Sequence, residues 1–178
     1  MAATTDLTTT LTIHRAGPAD AETIMEMVRE NAAHEDQLQH VHVTIERWAH
    51  VLTRPDVVVL IARRDGAAVG YVSAIRRLHL WGDKDILALD DLYVREHSRD
   101  GGVGRQLMAA LAHSYAAPDQ LTITWGVEPD NEAAHRFYRR LGAILRDKVL
   151  AGWSPAGYAA VAVEAQPVGT RGTRDARP

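Results

Sequence analysis

Apolar residues recur along this chain at two different spacings, which predict alternating helices and strands. Ile24, Met27 and Val28 follow one another at helical spacing, and Thr44 is suited to cap a second helix. Runs of β-branched residues predict strands instead, and Asp65-Gly66 between two such runs predicts a hairpin turn. The predicted order is strand 11–16, helix 18–33, a helix after Thr44, strands 56–66, 67–80 and 86–94, a helix to about 117, strand 121–128, a helix ending at Gly142, and strands 144–152 and 157–165.

This order mixes hairpins with strand–helix–strand crossovers. It predicts an α/β (α+β) fold, a single domain over 11–165 in which a mixed, mostly antiparallel sheet is flanked by helices. A length of 178 residues suits one such domain. The Thr-rich segment 1–10 and the Arg/Gly/Pro-rich segment 166–178 are expected to be a flexible N-terminus and a disordered tail.

The composition narrows the function classes. Hydrophobic residues make up 46% and charged residues 24%, the net charge is −3, and there is no cysteine. These values are typical of a globular protein and argue against a nucleic-acid or membrane partner, disulfides and thiolate zinc sites. The N-terminus lacks the pattern of a signal peptide, so a cytoplasmic location is expected. Nine histidines occur without an H-E-x-x-H motif, and no metal site is predicted.

A glycine-rich stretch, 97-HSRDGGVGRQLM-108, lies between a predicted strand and a predicted helix. It lacks the Gly-Lys pair of a nucleoside-triphosphate loop, and Leu107 stands where a dinucleotide-binding loop has its third glycine. The pattern Arg99-x-x-Gly102-x-Gly104 remains, in which successive backbone N–H groups at a helix start can hold a pyrophosphate. A plain flexible turn is the alternative reading.

Two ordered motifs carry a family resemblance. The segments 89-LDDLYVREHSRDGGVGRQLMAAL-111 and 127-VEPDNEAAHRFYRRLGA-143 resemble the acetyl-coenzyme A binding segments of the GNAT superfamily of N-acetyltransferases. The resemblance implies a sheet whose central strands splay apart, acetyl-CoA as co-substrate in the wedge, and a homodimer, which is common in the family. The cofactor contacts that it implies are Leu92, Tyr93, Val94, Arg99, Asp100, Gly101, Gly102, Val103, Gly104, Arg105 and Asn131.

A narrower likeness concerns the acceptor. The run Leu89–Val94, after a hairpin that carries Trp81, looks like the branch containing spermidine/spermine and thialysine N-acetyltransferases. That branch often has an acidic stretch like Glu35-Asp36 after its first helix. Glu35, Asp36 and Trp81 are therefore candidate contacts to a small-molecule amine.

The chemistry of amide formation assigns the remaining candidates. An alkylammonium has a pKa of about 10.4, so a base must remove its proton, and Asp90 or Asp91 could do so. Neighbouring strand residues face opposite sides, so one should face the splay and the other the opposite side. A structural cap or salt bridge is the alternative for each. The resemblance places Tyr138 as the general acid near the cofactor sulfur, with a purely positioning role as the alternative.

Without a cysteine or a G-x-S-x-G motif, direct attack in a ternary complex is favoured over an acyl-enzyme. The leading hypothesis is an acetyl-CoA-dependent N-acetyltransferase for a small primary amine: a polyamine, an amino-acid derivative or an amine antibiotic. Acetylation of a protein or peptide, and a non-catalytic acyl-CoA-binding module, are the alternatives.

Overall fold

The computed structural model describes residues 10–164. Its elements in chain order are β1 (Leu11–Arg15), α1 (Ala21–His34), α2 (Ile45–Val51), β2 (Val57–Arg64), β3 (Ala67–Leu78), β4 (Asp85–Val94), α3 (Val103–Leu111), β5 (Thr122–Thr124), α4 (Glu132–Arg140) and α5 (Pro155–Glu164). Segment 1–9 and segment 165–178, on which the predictions of a flexible N-terminus and a disordered tail fall, lie outside the described residues. Within the described range, no helix combines the length and apolar character needed to cross a membrane.

The five strands form one sheet in sequence order, which confirms the predicted mixed and mostly antiparallel architecture. The first four strands pair antiparallel, and β4 pairs with β5 in parallel. The β2–β3 hairpin turns at Asp65 and Gly66, whose φ angles of 51° and 84° suit the twist of the flanking strands. Thr44 caps α2 as predicted, since its side chain accepts a hydrogen bond from the Arg47 N–H.

Helices cover both faces of the sheet, and β2 lies between two apolar cores. Val58, Leu60 and Ala62 pack toward α3, whereas the intervening Val59 and Ile61 pack toward α1 and α2. Because both faces are covered, β2 is apolar at every position from Val57 to Ala62 rather than alternating with polar residues. The sheet therefore gives the side chains of β3 and β4 a fixed position.

A β-bulge in β4 changes which side chains face each core. Val72 of β3 pairs with Leu92 and Ala74 pairs with Leu89, so Ser73 stands opposite both Asp90 and Asp91. The extra residue reverses the alternation of side chains after the bulge. Leu89 before the bulge packs on the α3 side, but Tyr93 after it packs on the α1 side.

Ion pairs fix α1 against the end of β4. The Arg95 guanidinium donates to both carboxylate oxygens of Glu30 at 2.8 and 2.9 Å and also pairs with Glu26 at 3.1 Å. The Tyr93 hydroxyl donates to Glu30 at 3.2 Å. A bidentate pair that is partly buried fixes geometry well, so the last turns of α1 have a defined position over β4.

The C-terminal part of the domain departs from the prediction. The predicted strand 121–128 is reduced to β5, and the predicted strands 144–152 and 157–165 are wrong: residues 144–154 have no regular structure and α5 is a helix. Ser154 explains why α5 begins as a helix, because its hydroxyl accepts a hydrogen bond from the Gly157 N–H at 3.2 Å. Ser as N-cap, Pro155 as first helical residue and several alanines all favour a helix, which outweighs the short alternation of Val161 and Val163.

Gly70 provides the first prediction. It lies in β3 opposite Val94, and a Cβ added to it would stand 2.6 Å from the Tyr93 carbonyl oxygen and 3.2 Å from the Val94 Cα. Since both are backbone atoms, Gly70→Ala is expected to destabilise the fold by about 1–3 kcal/mol in chemical denaturation. Gly17→Ala is the control, because no atom lies within 4 Å of its added Cβ. Equal unfolding midpoints for the two variants would contradict the tight β3–β4 contact.

Candidate active site

The bulge gives Asp91 a defined position on the α1 side of the sheet. Its Oδ1 accepts from Asn31 Nδ2 at 3.3 Å, and its Oδ2 accepts from the Ser73 hydroxyl at 3.4 Å. The Asp91 N–H donates in turn to the Ser73 oxygen at 3.1 Å. Burial raises the pKa of Asp91, although the neighbouring hydroxyl groups of Tyr71 and Ser73 act in the opposite direction. The result is a fixed carboxylate whose pKa lies closer to neutrality than usual.

Asp90, the other residue of the bulge, has different surroundings. Its side chain is more exposed and makes no hydrogen bond to another residue between 10 and 164. Its pKa is also raised, by partial burial and by the negative charge of Asp91. The strict alternation assumed from the sequence does not apply to this pair, because the bulge interrupts it.

A cavity of about 160 Å³ opens beside Asp91, between α1, the segment after it and the sheet. Its polar lining residues are Asn31, Glu35, Gln37, His40, Tyr71 and Asp91, and we call it the acidic pocket. Two of these residues are carboxylic acids, and neither lysine nor arginine lines the cavity. A cavity with this lining is suited to a small cation.

The glycine-rich stretch forms a loop that leads into α3. Gly102 is the N-cap of the helix in a left-handed conformation, with φ of 74°, and Asp100 has φ of 62°. In the described part of the chain, the backbone N–H groups of 100–105 find no hydrogen-bond acceptor. We call this segment the amide loop. N–H groups that are left without acceptors at a helix start form a site for an anion.

Arginines surround the amide loop. The Arg64 guanidinium reaches Gly101, where an added Cβ would lie 3.0 Å from one of its nitrogens. Arg99 donates to the Val94 carbonyl oxygen at 3.0 Å, and Arg105 lies within the loop itself. None of these three arginines forms an ion pair with a carboxylate of the described residues. Their positive charge is therefore available to a phosphate.

Strand β4 connects the amide loop with the acidic pocket. It pairs with β5 only over Ile86–Ala88, so its remaining residues, including Leu92 and Val94, have no strand partner on that edge. Val94 follows Asp91 by three positions, which corresponds to roughly 10 Å along a strand. An extended ligand could run along this open edge from the loop toward Asp91.

Tyr138 lies on α4 and does not line the acidic pocket. Its ring packs against Trp125 at a centroid distance of 4.8 Å and against Phe137 at 5.1 Å. Burial raises the pKa of its hydroxyl, which has no hydrogen-bond partner among residues 10–164. Asn131 caps the same helix, with its side-chain oxygen accepting from the Ala134 N–H at 3.0 Å.

The remaining predicted contacts fall in different places. Glu35 lines the acidic pocket, whereas the neighbouring Asp36 is exposed, with φ of 55°, and does not line it. Trp81 is 96% exposed at the tip of the β3–β4 hairpin and contacts neither the loop nor the pocket. His40 lines the pocket, but the described chain contains no group of three histidine or acidic side chains placed to hold a metal ion.

Three site residues escaped the sequence analysis: Asn31, Tyr71 and Ser73. They lie on α1 and β3 and reach Asp91 only through the packing of α1 on the sheet and the bulge opposite Ser73. Neither residue of β3 belongs to a motif. The one available signal was a polar Ser73 within the otherwise apolar core run of β3.

The sheet, in which β4 pairs with β5 over three residues only, and the glycine-containing loop before α3 lie within a segment that matches a known family. The model of the acetyltransferase (GNAT) family matches residues 21–143, and the chain belongs to this family.

Curated relatives include a bacterial and a yeast protein. An uncharacterized N-acetyltransferase of Mycobacterium tuberculosis is 34% identical over 96 residues, which cover 54% of this chain and 58% of that protein. A D-amino-acid N-acetyltransferase of Saccharomyces cerevisiae is 32% identical over 88 residues, covering 48% of this chain and 52% of that protein. The chain thus spans little more than half the length of the curated relatives it matches.

Solved structures share the fold at low sequence identity. An aminoglycoside acetyltransferase from an uncultured soil metagenomic sample, in complex with sisomicin, superposes with a TM-score of 0.71 at 17% identity, over 81% of this chain and 95% of that one. An aminoglycoside N-acetyltransferase in complex with CoA gives a TM-score of 0.68 at 18% identity, over 84% and 98% of the two chains. At this identity the likeness establishes the fold alone.

Proposed function

We propose that the protein is an acetyl-CoA-dependent N-acetyltransferase that transfers an acetyl group to the primary amine of a small molecule. The observation that carries the proposal is Asp91: a fixed, largely buried carboxylate with a raised pKa, in an acidic pocket beside the open edge of β4. Membership of the GNAT family supports the reaction class. The N-acetyltransferase relatives named above support an amine as the acceptor.

The amide loop fits the pyrophosphate of coenzyme A. Its N–H groups lack acceptors, Arg64 and Arg99 add positive charge, and a Cβ at Gly102 would meet no protein atom within 4 Å, so the loop leaves space beside its backbone. Acetyl-CoA bound there would supply an activated acetyl thioester. Residues Leu92–Val94 lie on the open edge of β4, and backbone groups there would hydrogen-bond an extended arm and the thioester oxygen.

Asp91 is the better candidate for the base. An ammonium in the acidic pocket is attracted by Asp91 and Glu35, and transfer of its proton to Asp91 leaves a neutral amine with a free lone pair. The raised pKa makes the carboxylate a stronger proton acceptor than an exposed one. Asp90 is the weaker candidate, because none of its neighbours in the described chain fixes its position. Attack by the amine on the thioester then needs no acyl-enzyme.

Tyr138 is the candidate partner of the departing thiolate. Its neutral hydroxyl has an unused proton and is held by the packing of its ring on Trp125 and Phe137. Because burial raises its pKa, it stays protonated over the working pH range. It can therefore donate a hydrogen bond to a negatively charged sulfur.

Among acceptors, the pocket supports small aliphatic amines: a polyamine, as in the spermidine/spermine-like branch, an amino-acid derivative, or an amine antibiotic. Thiol release from acetyl-CoA in the presence of 1,4-diaminobutane, a D-amino acid, an aminoglycoside and a short peptide tests this. Release is expected with a small amine and not with the peptide. Tight acetyl-CoA binding without release on any amine would instead indicate a non-catalytic module.

Tyr138→Phe is expected to lower kcat about tenfold or more with KM for acetyl-CoA within about twofold.

Gly102 tests the donor site. Gly102→Ala and the control Gly66→Ala place the same side chain at φ of 74° and 84°, with no protein atom within 4 Å of either Cβ. Both should lose about 1 kcal/mol of stability from the left-handed backbone. Only Gly102→Ala is expected to weaken acetyl-CoA binding, by about tenfold in calorimetry, which corresponds to about 1.4 kcal/mol. Equal affinities for the two variants would remove the amide loop from the donor site.

The raised pKa of Asp91 predicts a pH dependence. A base acts in its charged form, so kcat/KM should fall as the pH drops through the pKa of Asp91, which burial raises above its ordinary value. Asp91→Asn should remove this acidic limb and lower kcat by about 10²–10⁴-fold, whereas Asp90→Asn should retain the limb.

Thermal denaturation controls for unfolding of Asp91→Asn. A folded pKa above the unfolded value means that the stability from protonated Asp91 is present at low pH and lost as the pH rises through the folded pKa. Charged Asp91 is therefore unfavourable at pH 7, and Asp91→Asn should melt at the same temperature as the wild type or higher. An acidic limb that persists in Asp91→Asn would exclude Asp91 as the base.

A further inference from the structure

Tyr71 is a buried polar residue that the reaction described above does not use. It lies in β3 after an irregularity in the β2–β3 register, which turns its ring toward α1, and its exposed fraction is 0%. The ring packs against Tyr93 with a centroid distance of 6.2 Å. Tyr71 is one of the residues that line the acidic pocket, and its hydroxyl oxygen is buried.

The Tyr71 hydroxyl has no hydrogen-bond partner with acceptable geometry among the described residues. A buried hydroxyl left in this state is unfavourable for the fold. Its neighbours are the side chains of Asp91 and Asn31, and Glu35 and His40 line the same cavity. A group that is unfavourable for the empty fold and faces a cavity is suited to contact a ligand.

The chemistry of Tyr71 limits what that contact can be. Burial, together with the negative charge of Asp91, raises the pKa of its hydroxyl, so the group is a neutral phenol at any working pH. A neutral phenol donates one hydrogen bond and accepts others. Donation toward Asp91 leaves a lone pair, and a ligand with an N–H or O–H group can use it.

We propose that Tyr71 is the residue that selects a primary ammonium group in the acidic pocket, by accepting one of its N–H groups while donating its own proton to Asp91. This inference rests on the proposed function for the identity of the reaction. The three N–H groups of the ammonium match three acceptors: the Asp91 carboxylate, the Tyr71 oxygen and the Glu35 carboxylate. When one proton passes to Asp91, the neutral amine keeps its N–H bond to Tyr71, so its lone pair has a fixed direction.

The pocket also limits the size of the group that enters. Its volume of about 160 Å³ and its apolar residues Val28, Ala32 and Val41 suit an unbranched alkyl chain. A trimethylammonium group carries the charge but has no N–H to donate, and an alcohol has a donor but no charge. Tyr71 should discriminate against the first, and the two carboxylates against the second.

Direct binding tests the selection without any turnover. The probes are n-butylamine, butyltrimethylammonium and n-butanol, titrated into the protein at pH 7 without acetyl-CoA and followed by NMR chemical shifts. The expected dissociation constant of n-butylamine is at least tenfold lower than those of the other two. Equal binding of n-butylamine and butyltrimethylammonium would overturn the role of Tyr71.

Tyr71→Phe removes only the hydroxyl, and Tyr115→Phe is a matched control on the opposite face of the sheet, where Tyr115 packs on the α3 core. Tyr71→Phe is expected to weaken n-butylamine binding at least fivefold and to leave butyltrimethylammonium unchanged. Tyr115→Phe should change neither. Because the lost hydroxyl has no partner in the described chain, the melting temperature of Tyr71→Phe should not fall. Unchanged n-butylamine affinity in Tyr71→Phe would overturn the proposal.

Kinetics separate this inference from the proposed function. With a primary amine as substrate, Tyr71→Phe should raise KM for the amine at least fivefold and leave KM for acetyl-CoA unchanged. Selective n-butylamine binding that depends on Tyr71, without thiol release on any amine, would refute the proposed function and retain the ammonium site. Thiol release with an amine KM that is unchanged in Tyr71→Phe would retain the proposed function and refute the ammonium site.

Discussion

The extra residue of β4 opposite Ser73 determines how the two halves of the site face each other. Before the bulge, β4 contributes Leu87 and Leu89 to the core under α3, and after it the same strand turns Tyr93 toward α1. Without this change of phase, the residue at position 91 would share the α3 side with Leu89. The bulge therefore brings a carboxylate to the side where α1 can supply a donor.

That carboxylate is unfavourable for the fold unless its neighbours are fixed. Asn31 donates to it from α1, and α1 is in turn fixed by the paired contacts of Arg95 with Glu30. Arg95 follows β4 directly, so the same strand carries both the base and the anchor of the helix that orients it. This arrangement keeps Asp91 partly desolvated with a raised pKa, which a flexible contact would not do.

The elements that the sequence predicts well are those specified by local chemistry. Asp65-Gly66 fixed the hairpin, Thr44 the start of α2, and Gly102 the start of α3, because each requirement is met within a few residues. The strands predicted within 144–164 are wrong because a local signal was misread there. Two alternating valines suggested a strand, although Ser154 and Pro155 formed a stronger local signal for a helix.

The candidate site likewise has a part that local sequence predicts and a part that depends on packing. The amide loop is one continuous segment, and a backbone that must approach an anion leaves its glycines visible in the sequence. Asp91 was also visible, as one of a pair, but the alternation rule could not choose between Asp90 and Asp91 because a bulge depends on the partner strand.

No continuous sequence motif marks the residues around the acceptor pocket. Asn31, Tyr71 and Asp91 come from three elements, and only the packing of α1 on the sheet makes them neighbours. Asn31 is a polar residue on a helix and Tyr71 an aromatic residue in a strand, and of the three only Asp91 was a candidate from the sequence. Their significance arises from burial, which makes an unpaired hydroxyl and a desolvated carboxylate unfavourable together. A ligand that supplies N–H donors and a positive charge relieves both, so the acceptor is specified by what the folded pocket lacks.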